Sequence, residues 1–149
     1  MDFTCLVSVI WLVFKSTIKP LPSMVNPLPI ILISGPTGSG KELIARKIHK
    51  NSTRSKEPFV IINAALLKEK TYEKELFGEE FEDGNVSFGA LERANKGTLL
   101  IDEVSEIPYE TQANVLRVLI DQKFKRLNGS KDIYVNIRCA KIVDDNLTV

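Results

Sequence analysis

The sequence predicts an α/β domain built on a parallel, three-layered sheet. Three observations carry that prediction. Short β-branched apolar runs alternate with helical stretches, a glycine-rich loop joins the first of these runs to a helix, and a later run ends in two adjacent acids. The chain has 149 residues, 44% hydrophobic and 26% charged, which is ordinary globular composition. Lys plus Arg number 20 against 19 Asp plus Glu, a net charge of +1; that excludes a polybasic nucleic-acid binder. Cys5 and Cys139 offer neither zinc-ligand spacing nor a disulfide framework, and His49 is the single histidine, so no His-based metal site is expected. So few cysteines point to a reducing, cytoplasmic setting.

Residues 1–29 read as an atypical apolar and proline-rich segment. Residues 3–14 (FTCLVSVIWLVF) are almost uniformly apolar. They are too short for a bilayer, which takes about 20 residues, and no basic region precedes them as in a secretory signal. They suit a buried strand or helix. Pro20, Pro22, Pro27 and Pro29 then exclude a helix or central strand, which makes residues 19–29 a linker.

From residue 30 the elements follow in order. Ile30-Ile31-Leu32-Ile33, closed by Gly35-Pro36, suits a strand buried on both faces. Residues 41–50 have helical spacing with Ile44 and Ile48 inward. Residues 59–62 and 98–101 are further strands, and residues 71–77 and 90–94 short helices. Residues 110–120 form the strongest helix, with Ala113, Leu116 and Ile120 on its inner face. Residues 124–127, Asn128-Gly129 and residues 133–137 read as strand, turn and strand. The basic stretch of Lys41, Arg46, Lys47, Lys50, Arg54 and Lys56 is expected to be a solvated helix face, with His49 on it or nearby.

Gly35-Pro36-Thr37-Gly38-Ser39-Gly40-Lys41 fits the phosphate-loop pattern G-x-x-x-x-G-K, in the strand-to-helix context that the pattern requires. Glycines let the backbone curl around an anion with its N–H groups inward, and the helix that follows aims its positive end at the same place. Lys41 would neutralise the β- and γ-phosphates of a nucleotide. Glu42 stands where Ser or Thr usually offers a hydroxyl to Mg²⁺. A carboxylate there either reaches the metal or turns to solvent at the helix N-terminus.

Asp102 and Glu103 close the run Leu99-Leu100-Ile101. In a parallel sheet, ligands gather at the carboxyl ends of strands. Asp102 would hold Mg²⁺ directly or through water, and Glu103 would orient and activate an attacking water. Asn63 follows the second strand. Its amide could hydrogen-bond Glu103, although spacing alone suits a strand-end turn residue better.

Taken in order, GPTGSGKELIARKIH at residues 35–49, PFVIINAAL at 58–66, ELFG at 75–78, GTLLIDE at 97–103 and QANVLRVL at 112–119 resemble one family. They are similar to the AAA+ ATPase domain of NtrC-type enhancer-binding regulators, which act on sigma-54 transcription. GPTGSGKE with GALERANKGTLLIDEV most resembles the NtrX branch of two-component response regulators. The resemblance covers residues 30–138. It implies a three-layer P-loop NTPase (AAA+) core, ATP and Mg²⁺ as ligands, residues 35–41 as Walker A, Asp102 and Glu103 as Walker B, and Asn63 as the glutamate switch. A homo-oligomer or a full-length regulator is the implied partner.

The sequence departs from that family in several places. Residues 79–88 read EEFEDGNVSF, without the GAFTGA loop, so sigma-54 contact by that route is not expected. Glu79, Glu80, Glu82 and Asp83 read instead as a solvated loop. Residues 139–149 read as a divergent tail without a recognisable sensor. The family's arginine fingers, helical lid, fifth strand and DNA-binding domain are not found in this chain. The expected core is therefore incomplete, with residues 30–34 an aggregation-prone edge strand. Nucleotide binding is expected to persist with impaired hydrolysis. The alternatives are an inactive truncated remnant, or an interaction fragment that modulates a full-length regulator.

Overall fold

The computed structural model describes residues 30–36, 38–68 and 71–144. The apolar run and linker of residues 1–29 and the phosphate-loop residue Thr37 lie outside the described residues, as do residues 145–149. The elements are β1 (Ile30–Gly35), α1 (Lys41–Lys50), β2 (Phe59–Asn63), α2 (Tyr72–Phe77), β3 (Gly78–Glu80), β4 (Val86–Phe88), α3 (Ala90–Arg93), β5 (Thr98–Asp102), α4 (Tyr109–Asp121), β6 (Lys123–Phe124), β7 (Ile133–Tyr134) and β8 (Arg138–Asp144). Short 3₁₀ turns at Ala64–Leu66 and Val104–Glu106 follow β2 and β5.

The main sheet has 4 strands in the order β1-β8-β5-β2, and every pairing is parallel. Its pleat sends alternate residues to opposite faces. Leu99 and Ile101 pack with Leu76, Leu91, Val115 and Leu119 on one face. Leu100 packs with Ile33, Ala45, Ala140 and Ile142 on the other, beneath α1. This is the three-layered arrangement expected from the alternation of elements. Complete burial of residues such as Leu99 and Leu100 stabilises the fold by roughly 1.5–3 kcal/mol each, an upper estimate because unfolded chains are themselves partly collapsed.

Among the described residues, β1 pairs with β8 on one side and with no strand on the other. Leu32 is 64% exposed there. The sequence division at Arg138 does not mark the end of the sheet. Residues 138–144 form β8, which lies between β1 and β5 and buries Cys139, Ala140 and Ile142.

Three local expectations need correction. Helix α4 buries Thr111, Val115, Val118 and Leu119, while Ile120 is 70% exposed and Leu116 42%. The inner face is thus rotated away from Ala113, Leu116 and Ile120. His49 is buried, not solvated: its Nδ1 lies 3.0 Å from Thr98 Oγ1 and its ring packs on Phe59. Lys41 is buried as well, whereas Arg46, Lys47 and Lys50 are exposed as expected. The last two sequence runs shorten to the two-residue strands β6 and β7 of a hairpin.

Nor is the acidic stretch simply a solvated loop. Residues 78–88 form the antiparallel hairpin β3–β4. Glu79 pairs with Lys74 at 2.6 Å. Arg126 forks onto both oxygens of Glu92 at 3.0 and 2.7 Å and reaches Glu80 at 2.8 Å. Its guanidinium also lies over Phe88. Only Glu82 and Asp83 remain at the exposed tip.

Candidate functional site

The site lies at the carboxyl ends of β1 and β5, where the parallel sheet exposes the ends of its strands. Beyond β1 the chain turns through Pro36 and enters α1, with Ser39 N–H donating to the Pro36 carbonyl at 3.1 Å. Gly38 and Gly40 have φ of +79° and +80°, a left-handed conformation in which a side chain would be strained. Gly40 is also the N-cap of α1 and carries no side-chain cap, so the first N–H groups of the helix stay available to an anion. Gly35 is buried, while Pro36 and Ser39 are exposed.

Lys41 Nζ donates to the carbonyls of Gly35 at 2.8 Å and Pro36 at 2.9 Å, so the ammonium is held against the loop from which it springs. Glu42 points outward and pairs with Arg46 one turn on, Oε1 to Nε at 2.7 Å, with both side chains about half exposed. Such an exposed pair contributes about 0.3–0.5 kcal/mol. Of the two positions left open for Glu42, the helix-surface one is adopted here.

Strand β5 stops at Asp102, whose Oδ1 accepts from the N–H of Glu103 at 3.0 Å. Glu103 has φ 53° and ψ 49°. A non-glycine residue in the left-handed region costs of order 1–3 kcal/mol and persists only where the surroundings enforce it. Here the conformation breaks the strand and sets Glu103 in the wall of the cleft.

Loop and acids share that cleft. It has a volume of about 190 Å³ and is lined by Gly38, Gly40, Lys41, Glu42, Asp102, Glu103 and Ile142. The structure thus brings together Lys41 and Asp102, which are 61 positions apart in the sequence. Ile142 was missed by sequence reasoning. Its signal was the apolar set Cys139, Ala140 and Ile142, broken by Lys141, since a strand inserted beside β1 must end near the loop.

Asn63 does not join the cleft wall. It is the Cα partner of Asp102 in the β2–β5 register, and its Oδ1 accepts from Ala65 N–H at 3.0 Å as the cap of the following turn. No hydrogen bond links it to Glu103 among the described residues.

The cleft sets Lys41 against the acids Asp102 and Glu103, while the carboxylate of Glu42, also a lining residue, is paired outward with Arg46. No group of three or more His, Cys, Asp or Glu among the described residues forms a ready cation cage. The Asp102 and Glu103 pair fits Mg²⁺, which is commonly held by one or two carboxylates together with phosphates and water.

Fold and cleft together define the class, an α/β domain with a phosphate loop facing an acid pair across a parallel sheet. Residues 13–148 match the family described as the Sigma-54 interaction domain, and the chain belongs to that family. It is 51% identical over 109 residues to the nitrogen assimilation regulatory protein NtrX of Azorhizobium caulinodans, covering 72% of this chain and 24% of that protein. It is 50% identical over 121 residues to the regulatory protein AtoC of Escherichia coli K12, covering 78% of this chain and 26% of that protein. The chain therefore spans about a quarter of the length of these relatives.

The crystal structure of NtrX from Brucella abortus superposes with a TM-score of 0.74 at 48% identity, covering 78% of this chain and 26% of that one. A Brucella abortus NtrX structure in complex with ATP gives a TM-score of 0.72 at 37% identity, covering 94% of this chain and 34% of that one. The resemblance to NtrX-type regulators drawn from the motifs agrees with these matches. No helix of the described residues is long and apolar enough to cross a membrane.

Proposed function

We propose that the chain is the ATP-binding module of an NtrX-like two-component transcription regulator, cytoplasmic, with slow hydrolysis when the chain acts alone. One observation carries the reading: a loop with left-handed glycines, an uncapped helix N-terminus and Lys41 faces Asp102 and Glu103 across a single cleft. The ATP complex of Brucella abortus NtrX supports it.

In this reading Gly35, Pro36, Thr37, Gly38, Ser39 and Gly40 shape the loop, whose N–H groups bind the phosphates. Lys41 leaves its carbonyl partners to neutralise the β- and γ-oxygens. Asp102 holds Mg²⁺, with Glu42 beside it at the helix N-terminus. Bound Mg²⁺ supplies charge neutralisation to the same oxygens. Glu103 orients a water and takes its proton, and Asn63, next to Asp102 in register, acts on Glu103 as a switch residue. A cleft of about 190 Å³ is smaller than the roughly 300–1,000 Å³ of pockets that enclose a whole ligand, so the phosphates supply most of the binding energy.

Hydrolysis is the slower part of the proposal. Among the described residues, the cation presented to the cleft is Lys41. An arginine delivered from outside is worth about 10³–10⁵ in rate in related phosphate-loop enzymes. A homo-oligomer or a full-length regulator is the partner that would deliver it. The hairpin at residues 78–88, which carries EEFEDGNVSF in place of GAFTGA, argues against the usual sigma-54 contact. Glu103→Gln should keep nucleotide binding while abolishing whatever turnover the chain shows. Turnover unchanged by Glu103→Gln would overturn the assigned role, and brisk turnover by the chain alone would overturn the claim of slow hydrolysis.

A further inference from the structure

A second cleft, of about 230 Å³, opens between α2, α4 and β6. Phe77, Val118 and Phe124 give it an apolar floor. Its rim carries Arg117, Lys123 and Lys125 against one carboxylate, Glu73. Lys123 has a distant partner in Asp132 at 3.8 Å. The side chains of Arg117 and Lys125 make no ion pair or hydrogen bond among the described residues. An apolar floor under unpaired cations suits an acidic segment with an apolar anchor.

The chain itself carries such a segment. At the tip of the β3–β4 hairpin, Phe81 is 42% exposed and is followed by exposed Glu82 and Asp83. The tip is held ready by its own turn, with Phe81 N–H donating to Asn85 O and Gly84 N–H to Phe81 O, both at 2.9 Å. Asp83 accepts from the Asn85 backbone and side-chain amides, which hold its carboxyl below the usual range. The base of the hairpin is tied to the cleft wall: Glu80 N–H donates to Leu127 O and Leu127 N–H to Gly78 O, both at 3.0 Å. Leu127 lines the cleft. Tip and cleft therefore neighbour one another on the surface.

We infer that two copies of the chain associate across this surface, the Phe81–Glu82–Asp83 tip of each entering the basic cleft of the other. A two-fold axis makes both contacts at once and closes the assembly at a dimer. This inference is independent of the nucleotide reading, since neither tip nor cleft contributes to the phosphate-loop site.

The test is sedimentation equilibrium of the 149-residue chain with Lys125→Glu in the cleft and Glu82→Lys at the tip. The unaltered chain should show a monomer–dimer equilibrium that weakens as salt is raised. Each reversal alone sets like charges against each other and should weaken association about tenfold or more. An equimolar mixture of the two variants should restore it, because each tip then meets a cleft of opposite charge. A chain that stays monomeric up to about 100 µM would overturn the inference. So would a dimer indifferent to both reversals. Loss with Lys125→Glu alone, or a mixture that fails to recover, would also overturn the inference, since the Phe81–Glu82–Asp83 tip would not be what the cleft holds.

Discussion

Asn63 and Asp102 are Cα partners at the carboxyl ends of β2 and β5, yet their side chains hold different neighbours: Asn63 caps the turn through Ala65 N–H, and Asp102 accepts from Glu103 N–H. The register sets Asn63 on the strand next to the one that ends in the acid pair. The cap itself has a measurable cost. Asn63→Ala should lose about 1 kcal/mol of stability, because Ala65 N–H loses its acceptor. Asn63→Asp, which keeps an acceptor, should lose much less. Thermal unfolding of both variants checks this; equal losses would show that the cap contributes nothing.

Arg126 stitches the hairpin to α3. Its side chain is 10% exposed, and it bonds Glu92 through two nitrogens and Glu80 through one. The hydrogen bond to Glu92 raises its basicity most, burial opposes this, and Glu80 adds to it. Arg126→Ala leaves two half-buried carboxylates without their cation and should destabilise the chain by about 2–4 kcal/mol. Arg126→Lys should recover less than half of that, since a point charge cannot fork. Urea unfolding with an unchanged slope is the appropriate measurement.

The two faces of α4 differ in what they contribute. Leu119→Ala removes a fully buried side chain and should cost about 2–5 kcal/mol. Ile120→Ala, at a position 70% exposed, should stay within about 0.5 kcal/mol. Similar losses at both positions would mean that the outward face is covered in solution.

Cys139 is a buried thiol on β8. Burial pushes its pKa from 9.0 up to about 12, with Lys141 opposing weakly. The unfolded chain gives up this proton first as pH rises. The group therefore leaves stability unchanged below about pH 9 and subtracts from it between about pH 9 and pH 12. Alkylation at Cys139, located by peptide mass, should be far slower in the folded chain than in the unfolded chain at each pH from about 7 to 9. Native labelling as fast as that of the unfolded chain would contradict its burial.

Much of the fold was legible because local signals and burial agreed. The runs at β1, β2 and β5 are apolar without interruption, as strands covered on both faces must be. Strand β8 was missed because Arg138 and Lys141 interrupt its apolar residues, while Cys139, Ala140 and Ile142 fill the core. Helix α4 carries apolar residues around much of its circumference, and periodicity could not choose between Leu119 and Ile120. Thr111, buried though polar, weakened the true inner face further. The pairing of Arg126 with Glu80 joins residues 46 apart in sequence, which no local pattern encodes.

The site was read more fully than the fold around it. Loop geometry is written in Gly38 and Gly40, and strand ends in Asp102, so convergence on one cleft followed from parallel topology. The direction of Glu42 was left open by the sequence, because an i,i+4 partner and a metal are equally compatible with its position. The left-handed backbone of Glu103 has no sequence signal at all.

Equilibrium binding of Mg-ATP to the 149-residue chain, with Lys41→Ala as control, tests the central claim most directly. The account predicts saturable binding that the control loses, with both proteins equally folded by circular dichroism. Absence of binding by the folded, unaltered chain, or equal binding by the control, would contradict it and leave the loop and acids as an inherited pattern without a working site.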